Sequence, residues 1–292
     1  MKAKVLFIKI LEKLRRMPEK IDFLMKGIKN PIKSFRYVFA LVNNKFRITE
    51  NAKARGGGER LVIKNWHSAK SSKDFTLAHV QRYEWVLPYV KGLRCLDDGC
   101  GCGYGTYYLA KNNVNTIIGV DISSDAIKFA KKYYKSQNLE FLQMDALNVR
   151  FENNSFDTVI AFEVLEHLDE EHQNRLLAES VRVLKDDGAL YITSPNAAIH
   201  RGGYPFHRKE LTRGEFEQLL YKFYKNVKIF GQDLIVNGIR QKEHWREYVS
   251  SNLSYQNFTI VEDDIDSCWG LLAICKNKRR LKEDYRLNKV SK

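Results

Sequence analysis

The run RCLDDGCGCGYGTYYLAKNNVNTIIGVD, residues 94–121, decides how the rest of the chain is read. Arg94 to Asp97 is a short strand-like run, and glycines follow at positions 99, 101, 103 and 105. Thr106 to Lys111 has helical character, and the apolar run Thr116 to Val120 stops on Asp121. Strand, glycine turn, helix, strand and acid make the plan of a nucleotide-binding βαβ half. Glycine lets the backbone turn sharply and approach a ligand that a Cβ would hold off. A helix start presents unpaired N–H groups to an anion. An acid at the tip of the second strand can accept both hydroxyls of a ribose.

The dinucleotide fingerprint G-x-G-x-x-G fails in both registers, because Tyr104 and Thr106 stand where its last glycine belongs. The glycines instead read G-x-G-x-G at Gly99, Gly101 and Gly103, behind the acid Asp97.

Working outward toward the C-terminus, strands and helices continue to alternate. Ser123 is placed to cap a helix reaching about Gln137, and Leu139 to Met144 reads as a strand ending at Asp145. Phe156 to Phe162 is a buried strand that runs into Glu163-Val164-Leu165-Glu166-His167. Ligands of open α/β sheets bind beyond the carboxyl ends of the strands, so Glu163 to His167 is expected at the reaction crevice. A helix from Glu170 to Leu184 is expected to stop at Lys185-Asp186-Asp187-Gly188, with a fifth strand at Ala189 to Thr193. The polar, aromatic stretch 197–211 suits a loop over the crevice. Thr212 to Phe223 reads as a helix, with strands at Val227 to Phe230 and Cys268 to Cys275. Gly231 to Asp266 between them reads as a long irregular insertion.

Upstream, His79-Val80-Gln81-Arg82-Tyr83 lies in a helix. Its spacing alone reads as a solvated face with Tyr83 and Trp85 buried. Earlier still, apolar residues at 7, 10, 14, 17, 21, 24 and 28 form an amphipathic seam whose other faces carry lysine and arginine. Such an arm can lie on an anionic membrane, pair with a partner helix, or fold back on the body. The polar stretch from Asn43, ending in Gly56-Gly57-Gly58, reads as a linker. The organisation expected is therefore a basic helical arm and linker at 1–58, a catalytic domain at 59–276 and a basic tail at 277–292.

Charge agrees with that division. Residues 1–60 hold 16 Lys/Arg against 5 Asp/Glu, and residues 276–292 hold 8 against 2. Residues 61–275 hold 25 against 28. A body that gripped a nucleic-acid backbone should carry its own basic stripe, so the acidic body argues against nucleic acid as partner. No run approaches the length of a membrane span, and Lys9 cuts the first apolar run too early for a secretory signal. The expectation is a cytoplasmic protein, with the arm at residues 1–42 offering peripheral contact with an anionic inner membrane face. The five cysteines show neither a C-x-x-C pair nor a histidine at ligand spacing, so neither a disulfide framework nor a metal site is expected.

Four blocks stand in order: LDDGCGCGYG (96–105), the strand end at Asp121, FDTVIAFEVLEHL (156–168) and ESVRVLKDDGALYITSPN (179–196). Together they resemble the class I S-adenosylmethionine (SAM) methyltransferases of the methyltransferase type 11 group over roughly residues 90–276. The resemblance implies an α/β fold: a Rossmann-like seven-stranded sheet, six strands parallel and the last inserted antiparallel, with helices on both faces. It implies SAM as cofactor. Asp97, Gly99, Gly101 and Gly103 would hold its methionine part, Asp121 the ribose hydroxyls and Asp145 the adenine, with Ile122 and Ala146 also binding the cofactor. Glu163 would lie beside the cofactor. Asp98 departs from the family, which usually has an apolar residue there, and Asp187 replaces the first glycine of a P-G-G turn.

The segments GER (58–60), H-x-x-R-Y (79–83) and P-F-H-x-x-E (205–210) are similar to a subgroup that modifies sugars and cell-surface polysaccharides, although Tyr204 replaces an expected asparagine. In that likeness Arg82 and Tyr83 would close over the amino-acid end of SAM. A hydroxyl acceptor has to lose a proton, and His207 and His167 are the candidate bases, with Glu210 and Glu166 placed to orient an imidazole. The reading is a SAM-dependent methyltransferase acting on an oxygen of a small molecule such as a sugar or glycan precursor. A quinone or lipid methyltransferase, an RNA methyltransferase using the basic tails, and a SAM-binding protein without turnover are the rivals.

Overall fold

A computed structural model describes residues 73–200, 206–236, 239–240 and 258–281. The arm and linker at 1–58, the Glu59-Arg60 pair, Tyr204-Pro205 and the tail beyond Leu281 lie outside the described residues. The elements are α1 (Lys73–Val90), β1 (Arg94–Asp98), α2 (Tyr104–Ala110), β2 (Thr116–Asp121), α3 (Ser124–Tyr133) and β3 (Leu139–Gln143). They continue with β4 (Phe156–Phe162), α4 (Glu170–Val183), β5 (Leu184–Pro195), α5 (Ala197–His200) and α6 (Arg213–Tyr221). Strands β6 (Tyr224–Val236), β7 (Ile239–Arg240), β8 (Phe258–Val261) and β9 (Gly270–Lys278) complete the order.

The central strands run in the order β3-β2-β1-β4-β5-β9-β6. Pairing is parallel from β3 to β5, and β9 lies antiparallel to both β5 and β6. This is the expected seven-stranded sheet, with two short additions: β7 and β8 each pair antiparallel with β6.

Side chains alternate across each strand, and here both faces are dry. Leu96, Val159, Ala161, Leu190 and Ile192 join Leu176 and Leu177 of α4 and Phe216 and Leu220 of α6 in one buried cluster. Their strand neighbours Cys95, Ile160 and Tyr191 face the other way, into a cluster with Tyr83, Val86 and Val90 of α1 and Leu109 of α2. All five cysteines are buried thiols outside any disulfide, filling small spaces in this packing. Among the described residues no helix is long and apolar enough to cross a membrane.

Several boundaries differ from the expected ones, and packing explains each. Helix α3, capped by Ser123 as expected, stops at Tyr133 because Tyr134 adopts extended backbone and stacks its buried ring on Tyr107 at 5.1 Å. Helix α4 ends at Val183, within one residue of the expected Leu184, but strand β5 begins there at once in place of the expected turn at Lys185 to Gly188. Leu184 is already paired with Phe156 in the ladder, and both are fully buried. The stretch after Phe230 is not irregular throughout. Strand β6 runs on to Val236 because Gly231 to Leu234 pair with β8, whose sequence FTIV is rich in strand-forming residues. Helix α6 starts at a full capping box in which Thr212 and Glu215 each bond the other's backbone, worth about 1 kcal/mol.

Candidate active site

The site is built at the carboxyl tips of β1, β2 and β4. Asp97 ends deep inside, 1% exposed, where it accepts a 2.6 Å hydrogen bond from the Thr106 hydroxyl and longer ones from the Tyr83 hydroxyl. Burial pushes its carboxyl up to about 7, against the pull of those two donors. Beside it, Asp98 is also buried, and burial with the Asp97 charge next to it raises its carboxyl well above the usual range. Burial thus favours the neutral form of Asp98, which suits a place where the resembled family usually has an apolar residue.

The glycines divide into two kinds. At Gly99 an added Cβ would lie 2.3 Å from Val164, and at Gly103 it would lie 2.6 Å from the Phe141 ring, so both are required by neighbouring protein. Gly101 differs: its φ is +54°, and a Cβ there would meet nothing within 4 Å. Its N–H donates to Asp121 at 3.0 Å, and the Ser123 N–H donates to the other oxygen at 2.8 Å. The backbone thus curls around open space with the Asp121 carboxylate aimed by two amides. Ile122, next in sequence, is 63% exposed, an unusual waste of apolar surface unless a flat ligand covers it. Asp145 lies just beyond the end of β3 and accepts from the Leu147 N–H, while Ala146 packs against the core. Open glycine cradle, aimed acid and apolar platform fit the methionine, ribose and adenine parts of SAM in turn.

Arg82 departs from its expected place on a solvated helix face. It is 1% exposed, bonds the Gln232 side chain at 2.8 Å, and stands 5.5 Å over the Trp269 ring. Its Nη1 meets Glu163 Oε2 at 3.0 Å. Glu163 holds a left-handed backbone, φ 55°, and Thr193 accepts from its N–H and donates to its carboxylate. Burial alone would raise the Glu163 carboxyl, but the Arg82 charge and the Thr193 hydroxyl hold it below the ordinary range. Tyr83 is buried as expected, and Trp85 is half-buried. The Tyr83 ring presses so closely on α2 that a Cβ at Gly105 would lie 2.0 Å from it. His79 is driven down to about 4 by burial and the Arg82 charge.

The two candidate histidines come together although 40 residues separate them. Their ring centroids are 5.2 Å apart. Glu210 engages Nδ1 of His207, as expected of an orienting carboxylate. His167 Nδ1 is 3.0 Å from the Phe206 carbonyl, and its Nε2 stands 4.0 Å from Glu166, too far for a hydrogen bond. The backbone N–H of Arg208 donates to the Glu166 carbonyl at 2.8 Å, tying the loop to the tip of β4. Ligand atoms of Glu166, His167 and His207 lie within 4.8 Å of one another, although the sequence marked no metal site. Thr106, Thr193, Gln232 and Trp269 also build the site and were not singled out in the sequence. Only contacts across the folded chain mark them, so no local pattern could have done so.

Comparison with known proteins agrees with this geometry. Residues 96–192 match the methyltransferase domain family. A phthiotriol/phenolphthiotriol dimycocerosates methyltransferase of Mycobacterium ulcerans is 31% identical over 149 residues, 47% of this chain and 54% of that protein. Its Mycobacterium leprae counterpart is 36% identical over 124 residues, 41% of this chain and 45% of that one. The chain thus spans about half the length of the curated relatives it matches. A crystal structure of a SAM-dependent methyltransferase from Archaeoglobus fulgidus superposes with a TM-score of 0.50 at 25% identity, covering 70% of this chain and 94% of that one. Residues 96–192 thus form a methyltransferase domain, and SAM is the cofactor that its relatives and fold indicate.

Proposed function

We propose that the protein methylates a hydroxyl oxygen of a small molecule, with a sugar or glycan precursor as acceptor. The observation that carries this reading is the His167–His207 pair with Glu210 behind it, held beside the crevice at the tip of β4. An oxygen acceptor needs its proton removed, and imidazoles are suited to that near neutral pH. SAM supplies a methyl group on a sulfonium, and the transfer is an in-line displacement. The chain's own task is therefore to bind, align and keep water out. In this reading the 97–103 loop cradles the methionine part, Asp121 takes the ribose hydroxyls, and Ile122, Asp145 and Ala146 take the adenine. Arg82, Tyr83 and Glu163 shape the wall beside the amino-acid end, and the histidine pair activates the acceptor.

The test is His207→Ala. SAM binding should survive while turnover falls by about 100-fold or more. Unchanged turnover removes the residue from the mechanism. The acceptor itself is sought by incubating the protein with radiolabelled SAM and a cell extract, then identifying the labelled product.

A lipid acceptor is the second reading, supported by the phthiotriol lipid methyltransferases among the relatives. Both readings place the protein in the cytoplasm, with the basic residues 1–42 reaching an anionic membrane where lipid-linked precursors are found. Flotation with anionic vesicles, with and without residues 1–42, tests that contact. Equal flotation ends the idea.

A further inference from the structure

We propose that Glu166, His167 and His207 form a binding site for one divalent cation of borderline character, such as Zn2+ or Co2+. One ligand atom from each residue lies within 4.8 Å of those of the other two. In the tetrahedral geometry usual for zinc, two ligands at about 2.1 Å from the metal stand about 3.4 Å apart, so the trio has to close by at most about 1.4 Å. Small side-chain rotations supply that.

Three features separate this cluster from a chance meeting of polar groups. The Glu166 side chain is 1% exposed; its Oε1 stands 4.0 Å from His167 Nε2, and its Oε2 has no hydrogen-bond partner among the described residues, which is costly for a buried carboxyl oxygen. Both imidazoles are oriented from behind. The Phe206 carbonyl and the Glu210 carboxylate are acceptors only, so each Nδ1 carries the proton and each lone pair is on Nε2. A ligating histidine whose other nitrogen donates to a carbonyl or carboxylate is the usual outer-shell arrangement of metal sites. The backbone is also fixed, because the Glu166 carbonyl accepts from Arg208 and Lys209 and joins the two halves of the cluster. Two imidazole nitrogens and one carboxylate oxygen suit a first-row transition ion better than Mg2+ or Ca2+, which prefer all-oxygen ligands.

The cation's role rests on the O-methyltransferase reading. Close to an acceptor hydroxyl it would lower that group's pKa; both imidazoles would then serve as ligands in place of acting as the base, and the proton would leave to solvent. Cation binding itself does not depend on that reading, so the two are tested apart. The full chain is stripped with a chelator and titrated with Co2+, followed by its visible spectrum, and with Zn2+ by calorimetry. One ion per chain is expected, with affinity reduced at least about 10-fold in Glu166→Gln, His167→Ala and His207→Ala. Glu166 is buried, so the half-buried His207→Ala carries the test if Glu166→Gln fails to fold, with SAM binding as the check on its fold. Absence of saturable binding to the parent chain overturns the proposal, as does equal affinity in every folded variant. Saturable binding lost in the variants, in a protein without methyl transfer to any hydroxyl, would keep the cation site and remove the O-methyltransferase reading.

Discussion

Arg82 in α1 and Glu163 at the tip of β4 are joined at 3.0 Å, with the arginine side chain 1% exposed and the glutamate 18%. The pair fastens the helix that precedes the glycine loop to the strand that follows it. Gln232, reached from the far edge of the sheet, holds the guanidinium from behind and bonds the Ala78 carbonyl and Gln81 as well.

Removing one member of such a pair leaves the other's charge poorly solvated, which costs about 3–5 kcal/mol. Arg82→Met should therefore lower unfolding free energy by about that amount in urea titration. The double variant Arg82→Met/Glu163→Gln should lose clearly less than the two single losses together. Additive losses would show that the two residues are not coupled.

The glycines of the loop should respond differently to one methyl group. Gly103→Ala forces a Cβ to within 2.6 Å of the Phe141 ring at a φ of +83° and should destabilise the fold, lowering the thermal midpoint by several degrees. Gly101→Ala meets open space and carries only the left-handed backbone cost of about 1–2 kcal/mol. Its main effect should be on SAM affinity, read by calorimetry, because the added methyl enters the cradle. Full SAM affinity in folded Gly101→Ala would place the cofactor elsewhere.

Asp97 sets a pH dependence. Its carboxyl is raised from an ordinary 3.8 to about 7, so between those values the folded protein holds a proton that the unfolded chain has lost. The resulting stability is fully present below about pH 4 and is lost as pH rises through about 7. Asp97→Asn should flatten that slope, measured as denaturant stability at several pH values. An unchanged slope would assign it to another group.

His79 acts in the opposite direction. Its value of about 4 in the fold, against 6.5 when unfolded, keeps it neutral beside Arg82. The stability it contributes is present above pH 6.5 and is lost as pH falls toward 4. The difference in stability between the parent and His79→Gln should therefore shrink on acidification over that range. A constant difference would mean that the imidazole does not titrate there.

Local pattern was enough for the strand tips of the cofactor side. Glycine spacing, the acids at 97, 121 and 145, and the buried run into Glu163 can be read from neighbours in the chain. Their chemistry depends on backbone turns and strand ends a few residues away. The end of α3 and the start of β5 were less legible, because Tyr134 and Leu184 are held by partners that are distant in sequence. The pattern at 258–261 similarly became a strand only because β6 offered it an edge.

What the sequence alone determined is the αβ alternation, the SAM-type glycine loop and the concentration of positive charge at the two ends. All of these are properties of short segments or of composition. Only the tertiary structure decided that Arg82 is interior, that Gln232 reaches it from 150 residues away, and that Glu166, His167 and His207 share one place. Burial and convergence arise when separate elements close on one another, and no single segment contains the partner that its side chain will meet.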